Sequence, residues 1–199
     1  MSQRSRSAVV DRVTAETKIN VSWNLDGSGV HSVSTGLPFF DHMLAQLSKH
    51  SRTDLKLEVT GDLSVDAHHS VEDTGIVLGE ALSIALGEKL GIRRFASLSL
   101  PLDEALVSIA LDLSGRPFLE FNGDLGDGNL LGIPGFDPQL TEEFLRAFVT
   151  AGRMSTHVDV IRGKNSHHIV EAIFKCFARC LRDAINVDGD SVPSTKGTL

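Results

Sequence analysis

The sequence predicts an α/β fold of the layered α+β kind, built from two pseudo-repeated halves, each a mostly antiparallel sheet with helices packed on one face. Three observations predict it. Short stretches of alternating apolar and polar residues, the period of half-buried strands, recur along the chain. In each half, two longer stretches carry apolar residues at helical spacing, in the order helix–strand–helix. The second helix of each half also opens on the same motif, Asp66-Ala67-His68-His69-Ser70-Val71-Glu72 and Asn165-Ser166-His167-His168-Ile169-Val170-Glu171, 99 residues apart. A recurrence in matching context marks a duplicated half-domain. The chain is thus expected to be one domain, with halves over about 8–92 and 93–187 and a functional tail over 188–199.

The first half should begin with strands near Lys18–Leu25 and Val30–Thr35, joined by an Asp26-Gly27-Ser28-Gly29 turn. Pro38 stands where a helix starts, and Phe39, Phe40, Met43, Leu44 and Leu47 follow at helical spacing. Leu55, Leu57 and Val59 alternate as in a strand, and a helix follows from about His68 to Leu90, stopped by Gly91. In the second half, strands fall near Ser97–Leu100, Ala105–Leu113 and Phe118–Phe121. A helix over Pro138–Ala151, a strand over Thr156–Ile161 and a helix over His167–Ile185 complete it. Between them, 122–139 holds Gly126-x-Gly128 but lacks a third glycine at Leu131, so it reads as a long surface or assembly loop rather than a phosphate cradle.

Composition bounds the function. With 199 residues, 41% of them hydrophobic, the chain can bury a core without staples. A net charge of -7 and the lack of a basic face exclude a nucleic-acid partner. No apolar run approaches a membrane span, and the polar start is unlike a signal peptide. Cys176 and Cys180 lie four apart in an apolar periodic segment and read as buried reduced thiols, which predicts a cytoplasmic location.

The repeated motif carries the chemistry. At about 100° per residue, His68 and His69 diverge on the helix while Glu72 falls between them one turn on. Adjacent histidines therefore suit two different ions rather than one, and His167, His168 and Glu171 repeat the arrangement. Imidazole and carboxylate ligands without thiolate fit manganese, iron or zinc. His42 and Glu143 precede the two motifs by 26 and 24 residues and occupy comparable places on the first helix of each half, as further candidate ligands.

Leu37-Pro38-Phe39-Phe40-Asp41-His42-Met43, the His-His-Ser-Val-Glu-Asp-Thr-Gly run from His68, Ser114-Gly115-Arg116-Pro117, the His167 motif and the tail Pro193-Ser194-Thr195-Lys196-Gly197 together resemble the imidazoleglycerol-phosphate dehydratase family, in that family's order. The resemblance implies a hydro-lyase of histidine biosynthesis with two Mn²⁺ per active site. One ion would take His42, His69, His167 and Glu171; the other His68, Glu72, His168 and Glu143, where many members of the family have histidine. It implies sites between subunits of a hollow octahedral 24-mer. It also implies substrate contacts by Glu16, Arg94, Arg116, Lys175, Ser194 and Lys196, beside the metal-binding His42, His68, His69, Glu72 and His167. Those cations and the hydroxyl suit a phosphate monoester. Glu16, outside the ligand set, is the first candidate for the general acid–base, and Glu171 the second. Two rival readings are a dinuclear phosphate-ester hydrolase and a helical-bundle metal-storage protein.

Overall fold

The structure, a computed structural model, describes residues 5–126 and 128–199. Strands β1 (Ser7–Val13), β2 (Thr17–Asn24) and β3 (His31–Ser34) lead to helix α1 (Pro38–Ser51), strand β4 (Asp54–Gly61) and helix α2 (His68–Leu86). The second half repeats that order, with strands β5 (Phe95–Leu102), β6 (Ala105–Asp112) and β7 (Phe118–Asn122), helix α3 (Leu140–Ala151), strand β8 (Ser155–Arg162) and helix α4 (Ser166–Ile185). The sheets run β1-β2-β4-β3 and β5-β6-β8-β7. In each, two pairings are antiparallel and the last, β3 with β4 or β7 with β8, is parallel.

The segment 26–29 does join two strands, but they are not neighbours, because β4 lies between them. The reason is local. Asp54, first residue of β4, accepts the backbone N–H groups of Ser28 (2.8 Å), Gly29 (3.1 Å) and Val30 (2.9 Å), so the segment wraps around this carboxylate instead of closing on itself. Strand β1 escapes the alternation pattern because it is an edge strand with Val9 and Val13 exposed. Helix α2 stops at Leu86, short of Leu90, with Gly87 as its C-cap.

The helices form one layer between the two sheets. Helix α2 packs on β1 and β2, α4 on β5 and β6, and across the halves α1 meets α4 and α2 meets α3. Phe40 of α1 contacts Phe144 and Phe174 edge-on, and Trp23 of β2 meets Phe148 of α3 in the same manner. One continuous core results, shared by both halves. The α2–α3 approach needs small residues: a Cβ on Gly75 would come 2.6 Å from the carbonyl oxygen of Phe144, and one on Gly79 would come 2.5 Å from that of Phe148. Both sheets rule out a helical bundle. Within the 122–139 loop, Phe136 is fully buried and stacks on Phe40. Cys176 and Cys180 are buried and free, and no helix is long and apolar enough to cross a membrane among the described residues.

Candidate active site

The duplicated motifs start helices α2 and α4, as the repeat predicts. At α4, the Asn165 side chain caps the helix by accepting the N–H groups of His167 and His168. At α2, Asp66 accepts the His68 N–H at 2.7 Å. Within each pair the rings stand nearly perpendicular, 85° for His68–His69 and 86° for His167–His168, so the two imidazoles point in different directions.

The cross-half helix contacts then sort the predicted ligands into groups. Where α1 meets α4, Glu171 Oε2 lies 3.0 Å from His167 Nε2 and 3.7 Å from His42 Nε2. Lys175 Nζ donates to Glu171 Oε1 at 2.6 Å. Burial pushes the Glu171 carboxyl up, but Lys175 and His167 outweigh it, and the net displacement is below the ordinary value. Glu171 is therefore held as a carboxylate. Where α2 meets α3, His68 Nε2 lies 4.0 Å from Glu72 Oε2. His68 and Glu143 line one cleft of about 460 Å³, and Glu72 and Glu143 line another of about 330 Å³. Glu143 thus shares a cleft with His68 and another with Glu72, two of its three partners in the second predicted set.

The remaining two histidines stand apart. His69 Nε2 lies 3.8 Å from Glu16 Oε1, and its Nδ1 lies 3.0 Å from Asp62. The bond to Asp62 raises the His69 pKa. His168 Nδ1 lies 2.7 Å from Glu104 Oε2, which raises the His168 pKa and pulls the Glu104 carboxyl down to about 2, with the backbone N–H of Asn165 adding to the effect. Among the described residues of the single chain, no group of three or more His, Cys, Asp or Glu is arranged to hold a metal ion. Sequence reasoning missed Asp62 and Glu104. A signal for Glu104 existed: it immediately precedes β6, as Glu16 immediately precedes β2.

Glu16 sits in the β1–β2 turn, which is pinned from two sides. Thr14 Oγ1 accepts the N–H groups of Glu16 (3.1 Å) and Thr17 (2.9 Å), and Thr17 donates its hydroxyl to the buried carboxylate of Asp73 in α2. Arg12 donates to the other Asp73 oxygen at 3.1 Å.

The tail folds back over the second half. Arg94, Ser114, Arg116, Ser194 and Lys196 line one cleft of about 820 Å³. Arg94 is held by Asp112 (2.6 Å) and by the Pro193 carbonyl (2.8 Å). Four of the predicted substrate-holding groups, Arg94, Arg116, Ser194 and Lys196, are thereby gathered, whereas Lys175 stands with Glu171 instead.

Fold and site define a class: a two-repeat α+β sandwich carrying paired histidine–carboxylate helices and a separate cationic cleft. Residues 35–181 match the imidazoleglycerol-phosphate dehydratase family. The imidazoleglycerol-phosphate dehydratase of Ruegeria pomeroyi is 54% identical over 98% of this chain and 100% of its own length, and one from Cereibacter sphaeroides is 52% identical over the same shares. Among solved structures, imidazoleglycerol-phosphate dehydratase from Staphylococcus aureus superposes with a TM-score of 0.82 at 38% identity, covering 92% of this chain and 99% of that one. The enzyme from Pyrococcus furiosus in complex with (S)-C348 gives 0.81 at 34%, covering 96% and 100%. The chain belongs to the imidazoleglycerol-phosphate dehydratase family.

Proposed function

We propose that the chain is a hydro-lyase of histidine biosynthesis that converts D-erythro-1-(imidazol-4-yl)glycerol 3-phosphate to imidazole acetol phosphate and water, using two Mn²⁺ per active site. The observation that carries this reading is the sorting of the ligands: His42, His167 and Glu171 on one side, and His68, Glu72 and Glu143 on the other. The donor set fits the metal. It is all imidazole nitrogen and carboxylate oxygen, with both thiols buried elsewhere, a mixture that manganese accepts. His69 and His168 would complete the two sets from another copy of the chain, which supports a closed homo-oligomer, and an octahedral 24-mer is the assembly this reading assigns. The cytoplasm, where buried thiols stay reduced, is its compartment.

The chain's own residues divide the work. Arg94, Arg116, Ser194 and Lys196 bind the phosphate, which fixes the glycerol chain relative to the histidines. When bound, the metal ions supply Lewis acidity at the imidazole nitrogens and the substrate oxygens. The hydroxyl to be lost sits on the carbon attached to the ring, and the neighbouring carbon must give up its proton. Glu16, exposed and outside both ligand sets, takes that proton, and its turn is pinned for the task by Thr14 and Asp73. Glu171, held ionised by Lys175, serves better as a ligand than as a proton donor. Lys175 stabilises that carboxylate and faces the substrate beside it.

The test is to strip the purified protein with chelator, then assay dehydration and count bound metal with and without Mn²⁺. Activity that returns only with manganese, at about two ions per chain, is expected. Phosphate release in place of dehydration would revive the hydrolase reading, and failure to bind metal would overturn the ligand assignment.

A further inference from the structure

Each His-His pair has a carboxylate against the Nδ1 of its second histidine. Asp62 Oδ2 lies 3.0 Å from His69 Nδ1, and Glu104 Oε2 lies 2.7 Å from His168 Nδ1. An ionised carboxylate can only accept, so Nδ1–H is the donor in both contacts. That fixes the tautomer and leaves the lone pair on Nε2. Among the described residues the first histidines of the pairs have no such contact: their Nε2 atoms face the glutamate of their own helix, Glu72 or Glu171.

The two carboxylates reach their histidines from different parts of the repeat. Asp62 directly follows β4, where the second half has Gly163 directly following β8. Glu104 precedes β6, where the first half has Glu16. Glu104 Oε1 also accepts the N–H groups of Lys164 (3.2 Å) and Asn165 (2.9 Å), which clamps its turn to the start of α4. A duplicated chain would share such a contact by descent only if equivalent residues made it. Here residues at non-equivalent places in the two halves make the same contact, so it is not a copy carried over by the repeat. It also separates Glu16 from its counterpart, since Glu104 is committed to Nδ1 while Glu16 faces Nε2 at 3.8 Å. Asp103 faces His168 Nε2 at 3.7 Å and is exposed.

We infer that Asp62 and Glu104 are positioning residues that hold His69 and His168 with Nε2 presented to a metal ion completed by another copy of the chain. The inference rests on the metal reading above. A carboxylate behind a metal-binding histidine orients the ring and raises its basicity, and removing it weakens metal binding by about 10–100-fold. Because His69 and His168 belong to different sets, each carboxylate serves a different ion.

The experiment is a titration of the full-length, metal-stripped protein with Mn²⁺ alone, following free Mn²⁺ by electron paramagnetic resonance. Asp62→Asn should weaken one of the two ions by about 10–100-fold and spare the other, and Glu104→Gln should do the reverse. Asp62→Glu should recover most of the loss. Thermal midpoints in excess chelator report whether each variant keeps its fold. Wild-type affinity for both ions in both folded variants overturns the positioning role while leaving the metal reading intact. Equal weakening of both ions in each variant overturns it as well. A wild-type protein that takes up no Mn²⁺ overturns the metal reading itself.

Discussion

Thr17 donates its hydroxyl to the carboxylate of Asp73, and this buried bond ties the turn that carries Glu16 to the helix that carries His68 and His69. Asp73 directly follows Glu72 in the sequence, so the same helical turn sends one carboxylate toward the site and the next into the interior. Thr17→Val removes the bond without changing shape. Loss of one partner of a buried pair costs about 1–3 kcal/mol, so the thermal midpoint falls. Turnover should fall with it, while bound Mn²⁺ per chain stays at the wild-type count.

Glu16 and Glu171 should separate in a parallel experiment. Glu16→Gln is expected to lose turnover by at least 100-fold, within the range a general acid–base contributes, and to keep its metal. Glu171→Gln is expected to lose metal affinity first. Turnover near wild type in Glu16→Gln would remove that residue from the proton transfer.

Arg94 and Arg116 line the same cleft but are differently engaged. Arg94 is spent on Asp112 and the Pro193 carbonyl, whereas Arg116 has no ion-pair partner among the described residues. Arg116→Gln should therefore lower kcat/KM by about 10–100-fold, the worth of one or two charge-assisted hydrogen bonds, and leave the thermal midpoint unchanged. Arg94→Gln should lower both. Steady-state kinetics and differential scanning fluorimetry on the two variants check the contrast.

Gly79→Ala should destabilise. In an exposed helix the change stabilises by up to about 1 kcal/mol. Here the added methyl would meet the Phe148 carbonyl at 2.5 Å and the Gly152 nitrogen at 2.7 Å, so α3 must shift at a cost of about 1–3 kcal/mol. That shift moves Glu143 away from His68 and Glu72, and Mn²⁺ titration should show one ion weakened more than the other.

Asp54 offers a pH test away from the site. Backbone N–H groups of Ser28 and Val30 hold its carboxyl below the ordinary value of 3.8. A depressed folded pKa means the stabilisation is fully present above the unfolded pKa and is lost as pH falls through the lower, folded one. Asp54→Ala should lower the thermal midpoint at neutral pH, at a cost of about 1 kcal/mol. The gap to wild type should close as the pH is taken well below 3.8.

Legibility varied with the range of the interaction. The His-His-x-x-Glu helices could be read because their histidines and glutamate recur within one helical turn, a local period. The sheets could be read as mostly antiparallel, yet the parallel placement of β3 could not, because it depends on Asp54, a charged residue distant in sequence, wrapping the 26–29 segment. Pairing His42 with Glu171 depends on α1 meeting α4 across the halves, and only the resemblance of the motifs supplied it beforehand. Asp62 and Glu104 stayed hidden because a lone acidic residue in a turn looks like ordinary solvated charge. Superimposing the halves strand by strand, rather than motif by motif, would have set Glu104 beside Glu16.

The helix layer closed between two sheets has an evolutionary consequence. Phe40 of the first half is buried against Phe144 and Phe174 of the second, and Trp23 against Phe148. An ancestral gene encoding a single half would have produced a product with these aromatic faces bare to water. A half made alone would have to pair with a second copy to cover them. Joined in one chain, the halves need not match, and the turns that carry Glu16 and Glu104 do not: one carboxylate faces Nε2 of its histidine and the other meets Nδ1.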